Sequence, residues 1–207
     1  MLKSKPQRRT IWFDFVLLFG LLVSTACPAF AQMTFDAKPP DARNPLLAGT
    51  AWTIHATGMI DEGAPSRLKS LMADRDIPLQ SYLYLDSGGG NLMAAIELGR
   101  VIRDHRLHTY VGNSDRNEVV PCLSACTLAY LGGYFRFYLS NAAFGVHRFF
   151  FPDEIDSASA NAVSQVIAAQ VVGYMREMGA DPELFTEMTK AGSQRSQLSI
   201  RATAGRT

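Results

Sequence analysis

The sequence predicts an α/β fold with a parallel sheet. Strand-like runs alternate with segments of helical period along most of the chain. The run "SYLYLDS" (residues 81–87) is nearly continuous in apolar residues, as in a buried parallel strand. Directly after it, "GGGN" joins that strand to a helical pattern, placing Gly88, Gly89 and Gly90 at a strand-to-helix junction.

The elements follow in order. Lys3, Lys5, Arg8 and Arg9 precede an apolar run from Phe15 that ends in Ala29-Phe30-Ala31. These are the parts of a secretory signal peptide over residues 1–31, and imply a periplasmic or secreted protein. The apolar core, Phe15 to Ala26, has 12 residues, fewer than the roughly 20 that span a bilayer. The alternative is an uncleaved anchor over residues 11–31, which would bring membrane association. Residues 32–49 carry three prolines and no periodicity, and read as a flexible leader. Residues 50–207 then form one domain. "AWTIHATGMI" alternates as a strand. "APSRLKSLMADRD" places Leu68, Leu71 and Met72 on one helical face. After "SYLYLDS" comes "NLMAAIELGRVIRDH", a helix that Asn91 can cap. "LHTYVG" is a third strand, and "CLSACTLAYLGG" a small-residue helix closed by Gly132-Gly133. "FRFYL" and "AFGVH" are short strands around Ser140-Asn141. A long helix capped near Ser157 or Ser159 runs to Gly179, and Asp181-Pro182 starts a last one.

Composition excludes some functions. Apolar residues make up 47% of 207, and the net charge is +1 with no basic stripe. Nothing asks for a nucleic-acid partner. No His/Cys/Asp cluster has metal-ligand spacing, so no metal or other cofactor is expected. Removing residues 1–31 leaves Cys122 and Cys126. In an exported chain such a pair is a disulfide candidate, although i, i+4 on one helical turn lies near the upper end of disulfide geometry. Two buried thiols are the other reading.

The glycine run lacks the Lys-Ser/Thr of a phosphate-binding P-loop. Its uncovered amides could still meet an anion or a developing oxyanion. Equally, the run could be a turn that needs positive φ. Ser124, among small residues at a helix start, is a nucleophile candidate or a plain N-cap. Of the four histidines, His105 and His108 read as surface residues and His55 as a packed or edge strand residue. His147, ending the strand after the Ser124 helix, is the best-placed base.

Taken together, these segments resemble the Clp protease proteolytic subunit, within the Clp/crotonase superfamily. "GMIDEGAPSRL" is similar to its first strand–turn–helix, and "YLYLDSGGGNLMAAIELGRVIR" to its "INSPGG" strand and helix, with Gly88 in place of proline. "CLSACTLAYLGG" sits at the nucleophile helix, and "RFYLSNAAFGVH" resembles the strand that ends in the family's catalytic histidine. The separation of Ser124 and His147, 147 − 124 = 23 residues, is close to the family's. The likeness covers about Thr50 to Thr189.

The resemblance implies a fold of repeated β-β-α units with a parallel sheet and C-terminal helices. It implies an exported serine hydrolase of peptidase type, acting on a peptide or protein without a cofactor. Ser124 would attack and His147 would carry the proton. The Gly89 and Ala125 amides would form the oxyanion hole, and Gly90 would hold the substrate strand. It also implies a homo-oligomer. The family's ATP-driven unfoldase is not expected outside a membrane, where ATP is absent. The chain departs from the pattern where the family's orienting aspartate falls, since Arg195 lies near that place. Asp153, Glu154 or Asp156 could substitute, while Asp181 reads as a helix cap. The C-terminus also ends about where the family's last segment begins. An inactive fold that binds peptides or a partner is therefore the alternative. Thioester chemistry of the crotonase kind has no second carboxylate to support it.

Overall fold

The computed structural model describes residues 31–40, 50–112, 117–147 and 157–190. Residues 1–30 of the expected signal peptide (1–31), the acids Asp153, Glu154 and Asp156, and Arg195 lie outside the described residues. The architecture is mixed α/β with a mostly parallel sheet. Strands β1 (Thr34–Lys38), β2 (Thr53–Thr57), β3 (Tyr82–Asp86), β4 (His108–Val111) and β6 (Arg136–Tyr138) form one sheet in the order β1-β2-β3-β4-β6. Only β1 runs antiparallel to its neighbour. Strands β5 (Val120–Leu123) and β7 (Ala142–Gly145) pair in parallel as a second sheet. A bridge between Ser87 and Cys122 joins it to the continuation of β3.

The helices among the described residues are α1 (Ala64–Asp74), α2 (Leu92–Asp104), α3 (Ala125–Leu131), α4 (Ser157–Glu177) and α5 (Glu183–Lys190). Asn91 caps α2 as its position predicts, accepting from the Ala94 N–H at 2.9 Å. Asp181 does the same for α5 through Glu183 N–H, also at 2.9 Å. Alternation in the large sheet sends Ile54, Ala56, Leu83, Leu85 and Val111 into a core shared with Leu68, Ile96, Leu98 and Leu128. The opposite face carries a register row of stacked rings: His55 on Tyr84, Tyr84 on Tyr110, and Tyr110 on Phe137, with centroids 5.2, 4.8 and 4.5 Å apart.

Two elements differ from the sequence expectation. The leader begins with a strand, since residues 34–38 pair with β2 from Thr34–Thr57 to Lys38–Thr53. Phe35 and Ala37 alternate inward while Thr34, Asp36 and Lys38 stay exposed. That period of two was present in the sequence, but the prolines after it dominated the reading. Residues 41–49 of the same leader lie outside the described residues. Cys122 and Leu123 belong to β5 and not to the helix that follows. Pro121 is unusual inside a strand; with no N–H to give, it contributes only its carbonyl, which accepts from Ser87 N–H at 2.8 Å.

An ion pair fastens the segment leading into β1. Arg67 Nη1 donates to Asp61 Oδ1 at 3.0 Å, and Nη2 reaches Oδ2. The same guanidinium donates to the Met33 carbonyl from Nε at 3.2 Å and Nη2 at 2.9 Å. The Arg67 hydrogen bond, with the Gly63 and Met33 amides, lowers the Asp61 carboxyl from 3.8 to about 2 against a smaller opposing effect of burial. A depressed carboxyl contributes stability above its unfolded value and loses it as pH falls through its folded value. Between pH 4 and 2 the Asp61→Asn variant is therefore expected to lose less stability than the wild type. At neutral pH it should be weaker by about 1 kcal/mol, the pair being partly solvent-screened. Urea titrations along that pH series check both.

The helical layer closes through small residues. A Cβ on Gly132 would lie 2.2 Å from the Gly99 carbonyl oxygen, so α2 and α3 touch backbone to backbone there. Val171, Tyr174, Met175 and Met178 bury the C-terminal half of α4 against this pair. Arg103 donates to the Leu131 and Met178 carbonyls, each at 3.2 Å, and Arg136 adds another bond to Met178. These cations satisfy carbonyls that α3 and α4 leave open at their ends. Among the described residues no helix is long and apolar enough to cross a membrane.

Candidate active site

Ser124 is the hinge between β5 and α3, with φ 55° and ψ −125°. Such a conformation in a residue with a Cβ costs about 1–3 kcal/mol, and persists where its surroundings impose it. Its N–H donates to Gly145 O at 2.8 Å, and its carbonyl accepts from Thr127 N–H at 3.0 Å. The Thr127 hydroxyl donates to the same carbonyl at 2.6 Å. The Ser124 side chain makes no capping bond to α3. The plain N-cap reading therefore has no hydrogen bond to support it. A serine on a strained strand-to-helix turn is the arrangement that lifts a hydroxyl clear of its own backbone.

The glycine run lies directly against this serine. Gly89 has φ 112°, and a Cβ built on it would stand 2.7 Å from Ser124 Cβ, 2.8 Å from Leu123 O and 3.2 Å from Ala125 N. So glycine is required here twice, for its φ and for the approach. Gly88 is different: its nearest neighbour would be Met59 Sδ at 3.5 Å, ordinary contact. The position can carry a side chain.

One sequence expectation needs correction. The Gly89 amide is not an open donor, because it is spent on the buried Ser87 hydroxyl at 3.1 Å. The two bonds to Ile60 use the Gly89 carbonyl, at 2.8 Å, and the Asn91 amide, at 2.7 Å. In a parallel bridge this leaves the N–H and C=O of Gly90 pointing the other way. Gly90 is exposed. Ala125, first in α3, has no intrahelical partner for its N–H. Ser87 was missed because a serine one place before a glycine run looks like turn punctuation.

His147 lies just past the end of β7. Leu123 pairs with Gly145, and the Gly145 carbonyl takes the Ser124 N–H. His147 follows two residues later and is half-buried. Val146 between them is buried in the core. The other histidines are held elsewhere. His55 stacks on Tyr84, and His105 Nε2 lies 2.8 Å from Ile77 O. His108 sits among Tyr82, Tyr134, Phe135 and Phe137, where burial lowers its pKa. Neither His105 nor His108 is the surface residue expected; both are half-buried, because their junction folds onto the sheet.

Cys122 and Cys126 lie at disulfide-bonding distance, with Cα atoms 5.2 Å apart and both residues fully buried. Among the described residues, no group of three or more His, Cys, Asp or Glu side chains is placed to hold a metal. Of the acids described after His147, Glu177 pairs with Arg100 and Asp181 uses its carboxylate on α5. No family model matches this chain, and no curated protein does either.

Proposed function

We propose that this chain is a serine hydrolase of peptidase type, with a Clp/crotonase-like fold and an exported location. The observation that carries the reading is Ser124: uncapped, at φ 55°, and packed on Gly89 at a distance only glycine allows. A conformation that costs stability and serves no capping bond calls for a use. Ser124 Oγ attacks the acyl carbon as His147 takes its proton, and His147 returns that proton to the leaving group. The oxyanion is received by the Ala125 N–H and, with Gly89 occupied, by the Gly90 N–H. The Gly90 carbonyl is then the acceptor for an extended substrate backbone. Supporting the choice of base, His147 follows two residues after Gly145, whose carbonyl takes the Ser124 N–H, while His55, His105 and His108 have partners elsewhere. Self-assembly into an oligomer belongs to the same reading.

The test is labelling by a fluorophosphonate probe, comparing the wild type with Ser124→Ala. We expect labelling of the wild type and none of the variant. A fold that only binds peptides gives the same faint signal for both.

A further inference from the structure

Ser124 cannot hold its conformation alone. A serine at the head of a helix reaches lower energy by joining it, with negative φ and its hydroxyl on a capping amide. The described neighbourhood opposes this through the Gly145 carbonyl, the Thr127 hydroxyl and one covalent feature. Cys122 stands two residues before Ser124, in extended β5, and Cys126 two residues after it, in α3. Their Cα atoms are 5.2 Å apart. A regular helical turn would separate them by about 6.2 Å and an extended strand by about 13 Å. Cys122 is fixed to Ser87 and Phe144 by strand pairing, and Cys126 by burial against the core. The reversal between them therefore falls on three residues, with Ser124 in the middle. In strand-to-helix turns of the G-x-S-x-G kind, small residues two places either side of the serine permit the bend. Here those two places are cross-linked.

We propose that the Cys122–Cys126 disulfide is a positioning device that holds Ser124 in its positive-φ conformation. Its catalytic consequence rests on the reading of Ser124 as a nucleophile; its conformational claim does not. Both cysteines are fully buried, so the bond is a permanent staple and not one exchanged with thiols in solution.

The experiment is a crystal structure of the Cys122→Ala/Cys126→Ala variant beside the wild type, with fluorophosphonate labelling kinetics on both. In the variant Ser124 is expected to relax to negative φ and lose its bond to Gly145 O. The maximal labelling rate should fall about 100-fold, the scale of a 1 Å misplacement, with half-saturating probe concentration unchanged. A purely structural bond would lower the melting temperature and leave the maximal rate of the folded protein alone. Should the double alanine variant not fold, Cys122→Val/Cys126→Ala restores lost core volume and replaces it. Ser124 keeping φ near 55° in the folded variant overturns the proposal. If the wild type takes no label but Ser124 relaxes in the variant, the hydrolase reading fails and the staple stands.

Discussion

Gly89→Ala is expected to abolish fluorophosphonate labelling and to destabilise the protein by about 3–5 kcal/mol. Two costs combine. Alanine must adopt φ 112°, and its methyl must stand 2.7 Å from Ser124 Cβ and 2.8 Å from Leu123 O. Neither neighbour is the loose end of a side chain: one is a Cβ on a strained turn, the other a strand carbonyl. Ser124 or β5 has to move, and the Ser124 hydroxyl moves with either. Even where the variant folds, a shift near 1 Å costs about 100-fold in rate. Gly88→Ala is the control, because its methyl meets only Met59 Sδ at 3.5 Å. It should label at close to the wild-type rate and melt at a similar temperature.

Gly99→Ala should be equally costly without touching the site. Its Cβ would fall 1.7 Å from the Tyr174 hydroxyl and 3.3 Å from Leu128 O. Tyr174 is buried, and its hydroxyl donates to Leu128 O at 2.7 Å. The methyl expels that ring, so the variant loses what Tyr174→Ala loses, about 3–5 kcal/mol. The two substitutions remove the same contact, so the double variant should be little worse than either single one. Chemical denaturation of all three variants measures this. An additive double variant would show that Gly99 and Tyr174 act separately.

The alternating strands and helices were legible because period and caps agree locally. Asn91 and Asp181 cap where their types predict, and "SYLYLDS" becomes the central strand, buried on one face only. β1 and β5 were not legible. The first was masked by the prolines after it, and the second contains Pro121, whose carbonyl accepts from Ser87 N–H. Ser124, His147 and the glycine run were legible as residue types in a spacing. Which amides stay open was not. That depends on the Ser87 hydroxyl occupying the Gly89 N–H, a contact between residues whose identities permit many others. The positive φ of Ser124 was equally hidden, since serine as a residue type gives no sign of it.

The central claim is that Ser124 is a nucleophile. Its most direct test is peptide mapping by mass spectrometry of the fluorophosphonate-treated full chain. The account predicts one adduct, on the peptide carrying Ser124, absent from Ser124→Ala and strongly reduced in His147→Ala. An adduct on another residue, or an unmodified Ser124 peptide in folded wild-type protein, would contradict it.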